Sequence, residues 1–283
     1  MSEPKQIVYA KNVSEIFYQL KNVSGLQIVG GCTQLKKLPQ KSLSISNIKE
    51  LNFIVKHERK LDLGPAATLS EILSLGQQKM PAVLYDAVKS IGNSNIRNMA
   101  TIAGNICSKT YRHTLFAPLL ALDTKLEIKS ETETKYIPFS KIDSIGEKWI
   151  ITKIQIPLDE WEVAVFRRLG PKQAITANSA SFVFLANSQK GQLANLKIAF
   201  AGPVSFRSIE LENSLLGAYL PLSKETIKEF TKLAMEKFDL CSLNSAVQFQ
   251  NSKGETSRQN INASPVLRSQ FLNLVKFSLE QLT

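Results

Sequence analysis

The spacing of apolar residues changes repeatedly along this chain and never settles into a regular strand–helix–strand rhythm. Strands bury alternate residues and helices bury every third or fourth, so the spacing reports the local element. "QIVYA" opens as a short strand. "NVSEIFYQLKN" then sets Val13, Ile16, Phe17 and Leu20 at helical spacing behind an Asn12 cap. "GLQIVGG" is a second strand ending in two glycines, and "KSLSISNI" follows. "KLDLGPAATLSEIL" reads as strand, turn and helix, with Thr68 or Ser70 as the cap and Glu71 in the first helical turn. "MPAVLYDAVKSIG" is helical, with Pro81 in its first turn. "KLEIKS", "KYIPFSKI" and "EKWIITKIQIP" read as strands, the last stopped by Pro157.

A boundary falls between Pro157 and Trp161. The second half opens with "VAVFRRLGPKQAITANSASFVFLAN", and "LANLKIAFAGP" is a strand ended by Gly202-Pro203. Helices are expected over "SIELENSLLG", "SKETIKEFTKLAMEKF" and "VLRSQFLNLVKFSLEQL". The polar run 242–264 reads as a surface loop. Both halves mix strands and helices, so the class is α+β rather than a doubly wound parallel sheet.

Composition narrows the function classes. A chain of 283 residues holds one large or two modest domains. No apolar run approaches the roughly 20 residues that span a bilayer. The opening "MSEPKQIVYAKNVSE" has no apolar core of a secretory signal, so a cytoplasmic location is expected. Cys32, Cys107 and Cys241 stand far apart with no C-x-x-C pair. They form no local zinc or iron–sulfur motif, and any iron–sulfur chemistry belongs to another polypeptide. With only His57 and His113 besides, no metal site is expected. The net charge is +11, with Lys and Arg scattered end to end. A generally basic surface, an acidic partner subunit and attraction for anionic dinucleotides fit equally, while a nucleic-acid partner is not favoured.

Two small-residue turns carry the functional signal. In "LQIVGGCTQL" the backbone N–H groups after a strand can point outward together and hold a phosphate or pyrophosphate, and glycine leaves room for the approach. The segment is neither G-x-G-x-x-G nor a Walker loop, which disfavours Rossmann and P-loop folds. In "TIAGN", Ala103 and Gly104 keep the backbone bare, while Thr101 and Asn105 supply hydrogen-bonding groups. Two such turns about 70 residues apart suggest a grip on one extended ligand.

"IVGGCTQL", "IRNMATIAGN" and "PLLALDTKLEI" resemble the flavin-binding subunit of molybdenum hydroxylases, the family of the carbon monoxide dehydrogenase medium subunit and the xanthine dehydrogenase FAD-binding subunit. "VFRRLG", "LANLKIAFAGPVSFRSIELENSLLG" and "SPVLRSQFLNLVKFSL" follow the same family in order, so the resemblance spans nearly the whole chain. It implies a two-part FAD-binding domain of the vanillyl-alcohol-oxidase (PCMH) type over 1–158, with subdomains of about 1–56 and 57–158. A smaller α+β C-terminal domain over 161–283 would follow.

The resemblance further implies that Val29, Gly30, Gly31, Cys32, Thr33 and Gln34 hold the FAD pyrophosphate. Thr101, Ile102, Ala103, Gly104 and Asn105 would run beside the ribityl and flavin portion, and Ile91, Ile151 and Arg167 would touch the cofactor. The implied activity is electron transfer, with no acid–base or nucleophilic residue on this chain. Electrons would arrive from a [2Fe-2S] small subunit, fed by a molybdopterin-containing large subunit, and leave to NAD or another acceptor. A FAD-less scaffold subunit and a stand-alone flavin reductase or oxidase are the alternatives.

Three departures from the family pattern bear on the site. Cys32 stands where a further glycine is usual, and Ala103 replaces the first glycine of Gly-Gly-Asn. Counted from Gly104, Thr110 takes the place of a Ser, Tyr111 of a Pro and Thr114 of a cofactor-binding Asp. A threonine hydrogen-bonds but carries no charge. Lys109, Arg112 and His113 make this loop basic, suited either to anionic groups or to plain solvation.

Overall fold

The computed structural model describes residues 6–35, 37–107, 112–172, 174–244, 246–250, 256–260 and 264–282. The chain divides into two compact units. One comprises Met1–Met80, Ile91–Cys107 and Leu122–Leu158, and the other Pro81–Ser90, Ser108–Ala121 and Asp159–Thr283.

The first unit begins with strand β1 (Gln6–Tyr9), helix α1 (Val13–Asn22) and strands β2 (Gln27–Val29) and β3 (Lys41–Ser44). β3 lies between β1 and β2 and runs parallel to both. α1 is capped reciprocally: Glu15 N–H donates to Asn12 Oδ1 at 2.8 Å, and Lys11 N–H donates to Glu15 Oε2 at 2.8 Å. Its buried Ile16 packs with Leu43, Ile45, Ile48 and Leu51 in a small core.

Strands β4 (Ile54–Lys56), β5 (Lys60–Leu63), β6 (Lys125–Lys129), β7 (Thr134–Pro138) and β8 (Ile150–Pro157) form a second, antiparallel sheet in the order β4-β5-β8-β6-β7. Leu61, Leu63, Leu126, Ile154 and Ile156 face its core, and each is fully buried. A bulge follows Glu127, where β8 carries one extra residue, Thr152. The Thr152 hydroxyl donates to Glu127 Oε1 at 2.7 Å, and Lys153 Nζ lies 3.2 Å from Glu127 Oε2.

Helices α2 (Leu69–Ser74), α3 (Ala82–Lys89), α4 (Ser94–Met99), α5 (Ile102–Ile106) and α6 (Phe116–Ala121) lie between β5 and β6 in sequence. α2, α4 and α5 belong to the first unit, and α3 and α6 to the second. Of the expected caps on α2, Thr68 is the one used, in a full capping box with Glu71. Pro81 caps α3 from outside rather than sitting in its first turn. α4 was not legible in the sequence pattern; Asn93 caps it by accepting from Ile96 N–H at 2.9 Å.

The second unit is built on β9 (Val163–Leu169), β10 (Ala180–Gln189), β11 (Gln192–Ala201) and β12 (Ser205–Phe206), antiparallel in the order β12-β11-β10-β9. Lys190 and Gly191 both take positive φ in the tight turn joining β10 to β11, which suits the twist of a two-residue hairpin. Helices α7 (Ile209–Asn213), α8 (Lys224–Asn244) and α9 (Pro265–Glu280) follow. Phe182, Phe184, Phe200 and Phe206 pack with Phe238 of α8 and Phe271 of α9 in one core. The last two rings stack with centroids 4.8 Å apart. Val183 and Leu185, on the opposite face of β10, are fully buried too, because α6 also packs on this strand.

The loop expected over 242–264 is corrected in two places. α8 runs on to Asn244, and strands β13 (Ala246–Gln250) and β14 (Thr256–Asn260) pair antiparallel. Backbone pairing makes such a hairpin, and a polar composition does not reveal it. Among the described residues, no helix is long and apolar enough to cross a membrane.

Candidate cofactor site

The first small-residue turn leaves β2 at the buried Val29 and continues through Gly30, Gly31, Cys32, Thr33 and Gln34. Cys32 takes φ 55°, the left-handed region that favours glycine. Its thiol donates to the Gly30 carbonyl at 3.3 Å, and burial raises its pKa. The Leu35 N–H closes the turn on the Cys32 carbonyl at 3.2 Å.

The second is the start of a helix rather than a free turn. Thr101 caps α5, its hydroxyl accepting from Gly104 N–H at 3.1 Å. Ile102 is fully buried, Asn105 nearly so, Ala103 half-buried and Gly104 exposed.

These two stretches meet directly. A Cβ on Gly31 would lie 1.6 Å from the Met99 carbonyl oxygen, and one on Gly30 would lie 2.7 Å from Thr101 Oγ1. The two glycines are therefore required by contact between the stretches themselves, a constraint that their sequence context did not reveal. Gly104 differs, since a Cβ there would meet only Thr101 Oγ1, at 3.0 Å. Its outward side is open.

The second stretch rests in turn on a ladder of backbone bonds. Leu69 N–H donates to the Ala100 carbonyl at 2.9 Å, Ile102 N–H to Ala67 at 3.0 Å and Ala103 N–H to Pro65 at 3.2 Å, with Thr68 and Thr101 paired as an isolated bridge. Ala66 N–H then reaches the Leu51 carbonyl at 2.9 Å.

Ile91 and Ile151 also belong to this unit, both half-buried. Ile91 gives its carbonyl to Arg97 Nη1 at 2.9 Å, and Ile151 pairs with Ile128 across the sheet. Thr114 and Arg167 belong to the second unit. Thr114 is buried just before α6. Arg167 is exposed on β9, donates to the Phe166 carbonyl at 2.8 Å and holds its guanidinium 5.9 Å from the Phe277 ring centroid. Thr110 lies outside the described residues, as does Lys109.

The expected basic loop is reduced. His113 is buried, and burial pushes its imidazole down to about 4, so it is neutral at pH 7. Arg112 lies over the Phe116 ring at 4.5 Å.

The first turn suits a pyrophosphate on two grounds. The N–H groups of Gly31, Cys32, Thr33 and Gln34 have no hydrogen-bond partner among the described residues. Between Glu15 and Glu50 the sequence holds five lysines and no carboxylate. Unpaired amides in a lysine-rich, acid-free stretch favour a phosphate anion.

Comparison with known proteins gives the family of the chain. The family described as "FAD binding domain in molybdopterin dehydrogenase" matches residues 3–159, more than half of the chain. The glyceraldehyde dehydrogenase medium chain of Sulfolobus acidocaldarius is 25% identical over 195 residues, covering 64% of this chain and 68% of that one. The xanthine dehydrogenase FAD-binding subunit of Escherichia coli O157:H7 is 26% identical over 214 residues, covering 69% and 70%. The nicotinate dehydrogenase FAD-subunit of Eubacterium barkeri is 22% identical over 250 residues, covering 80% and 81%. A chain of the carbon monoxide dehydrogenase from Hydrogenophaga pseudoflava shares the fold, with a TM-score of 0.80 at 17% identity over 100% of this chain and 98% of that one. This chain therefore belongs to the family of FAD-binding domains of molybdopterin dehydrogenases, and it is a flavoprotein chain of an oxidoreductase.

Proposed function

We propose that this chain is the cytoplasmic electron-transfer subunit of a molybdenum hydroxylase complex. It accepts electrons from a [2Fe-2S] small subunit, fed by a molybdopterin-containing large subunit, and delivers them to NAD or another acceptor. When bound, FAD supplies the electron-carrying chemistry. The residues of the chain hold and orient it. The amides of Gly31 to Gln34 take the pyrophosphate, Thr101 to Asn105 flank the ribityl and flavin portion, and Ile91 and Ile151 keep water from it. The FAD-binding domain spans residues 1–158 in sequence and the C-terminal domain 161–283, with α3 and α6, from the first span, grouped with the second unit.

The observation that supports this reading most is the run of amides at residues 31–34 without a partner among the described residues, in a stretch without carboxylates and abutting the start of α5. The test is the visible absorption of the purified chain, before and after FAD is added and the mixture desalted. Retained flavin bands are expected. A colourless chain that takes up no FAD contradicts the reading and favours a scaffold subunit. NADH oxidation by the lone chain at a multiple-turnover rate favours a stand-alone reductase instead.

A further inference from the structure

The first turn of α2 sits one layer behind the proposed cofactor cradle and ties three separate stretches of chain together. Glu71 is its centre. One carboxylate oxygen, Oε2, accepts from the Thr68 N–H at 2.7 Å and from the Thr68 hydroxyl at 2.8 Å. The other, Oε1, accepts from Asn52 Nδ2 at 3.3 Å. One residue away, the Ser70 hydroxyl donates to Asn98 Oδ1 at 2.5 Å.

These partners lie on the layers that stack beneath the cofactor turns. Asn52 sits between Leu51 and Phe53, whose carbonyls accept from Ala66 and Gly64 N–H. Thr68 is bridged to Thr101, the cap of α5. Asn98 precedes Met99, whose carbonyl abuts Gly31.

Each layer meets the next through backbone at close range. A Cβ on Gly64 would lie 2.2 Å from the Leu51 carbonyl oxygen, as one on Gly31 would lie 1.6 Å from that of Met99. A stack so tight transmits a register shift in one layer to the next. We infer that Glu71, seated on Thr68 and Asn52, is a positioning residue that holds Thr101–Asn105 and Gly30–Gly31 in register for FAD. Its carboxylate bonds Thr68 and Asn52 and acts through them. The inference rests on the FAD reading above.

The test titrates the full-length apo chain with FAD and follows flavin fluorescence for the affinity. The visible circular dichroism of the bound flavin is recorded at saturation. Glu71→Ala removes both contacts and is expected to weaken FAD about tenfold and to alter the visible dichroism. Glu71→Gln keeps an acceptor for Thr68 and is expected to stay within about threefold of wild type. Ser264→Ala removes the cap of α9 in the second unit, a loss of the same kind far along the chain, and should lower thermal stability while leaving both flavin readouts unchanged. Wild-type affinity and dichroism in Glu71→Ala would overturn the positioning role. Equal weakening in Glu71→Ala and Ser264→Ala would reduce it to general stability and overturn it as well. A wild-type chain that takes up no FAD overturns the FAD reading and this inference together.

Discussion

Cys32 stands at the centre of the proposed pyrophosphate turn with φ 55°, a conformation in which a side chain costs roughly 1–2 kcal/mol relative to glycine. Part of that cost is offset by the greater freedom of glycine in the unfolded chain. Cys32→Gly is therefore expected to raise stability by about 0.5 kcal/mol in urea unfolding. Cys32→Val, with a branched Cβ, should lower it by about 1–2 kcal/mol. The order Gly, Cys, Val is the check, and a Val variant as stable as wild type would contradict it.

His113 couples the fold to pH. Its folded pKa of about 4 lies below its unfolded value near 6.5, so the unfolded chain binds the proton first as pH falls. The neutral, buried ring thus adds stability above pH 6.5 that is lost on the way down to about pH 4, amounting to about 3 kcal/mol. Urea unfolding at pH 7 and pH 4.5 should show a smaller acid loss in His113→Gln than in wild type. Carboxylates held below their usual range, such as Glu127 and Asp239, also lose stability in acid, which is why the difference between the two proteins is the readout.

At the scale of elements, local signals were legible and distant ones were not. Asn12 and Thr68 were readable as caps because a cap and its target lie three residues apart. Every residue of α6 is buried. The reason Gly31 must be glycine was not readable, because the carbonyl it abuts belongs to Met99, far along the chain. The burial of His113 was hidden for the same reason.

The grip on α6 was hidden too. Arg207 donates to both carboxylate oxygens of Glu212, at 2.9 and 3.2 Å, and to the Leu120 carbonyl at 2.8 Å. Glu212 Oε1 also accepts from Ile198 N–H at 2.9 Å, so the pair links α6, β11 and α7. Arg207→Met would leave Glu212 buried without its cation, at a cost of about 3–5 kcal/mol. Equilibrium urea unfolding measures it, and a loss below about 1 kcal/mol would place the pair among those of surface strength.

For the molecule as a whole, the order of segments in sequence differs from their grouping in space. The chain passes from one unit to the other after Met80, Ser90, Cys107, Ala121 and Leu158. Cutting it near 158 would therefore strip α3 and α6 from the strands they pack on, exposing Val83, Leu84, Phe116 and Leu119. A fragment of residues 1–158 is expected to aggregate or to bind a hydrophobic dye strongly, while the full chain stays monodisperse. Monodisperse behaviour of the fragment by light scattering would contradict this.

In the proposed site, FAD lies along the open side of Gly104, against a backbone locked to the Gly30–Gly31 turn. The most direct measurement is the FAD affinity of Gly104→Leu, with its melting temperature beside it. Leucine is a better helix former than glycine, and its Cβ would meet only the cap oxygen of Thr101, so the fold should keep its stability to within about 1 kcal/mol. FAD binding is expected to fall more than about tenfold with little change in melting. Unchanged FAD affinity in a stable Gly104→Leu chain would contradict it.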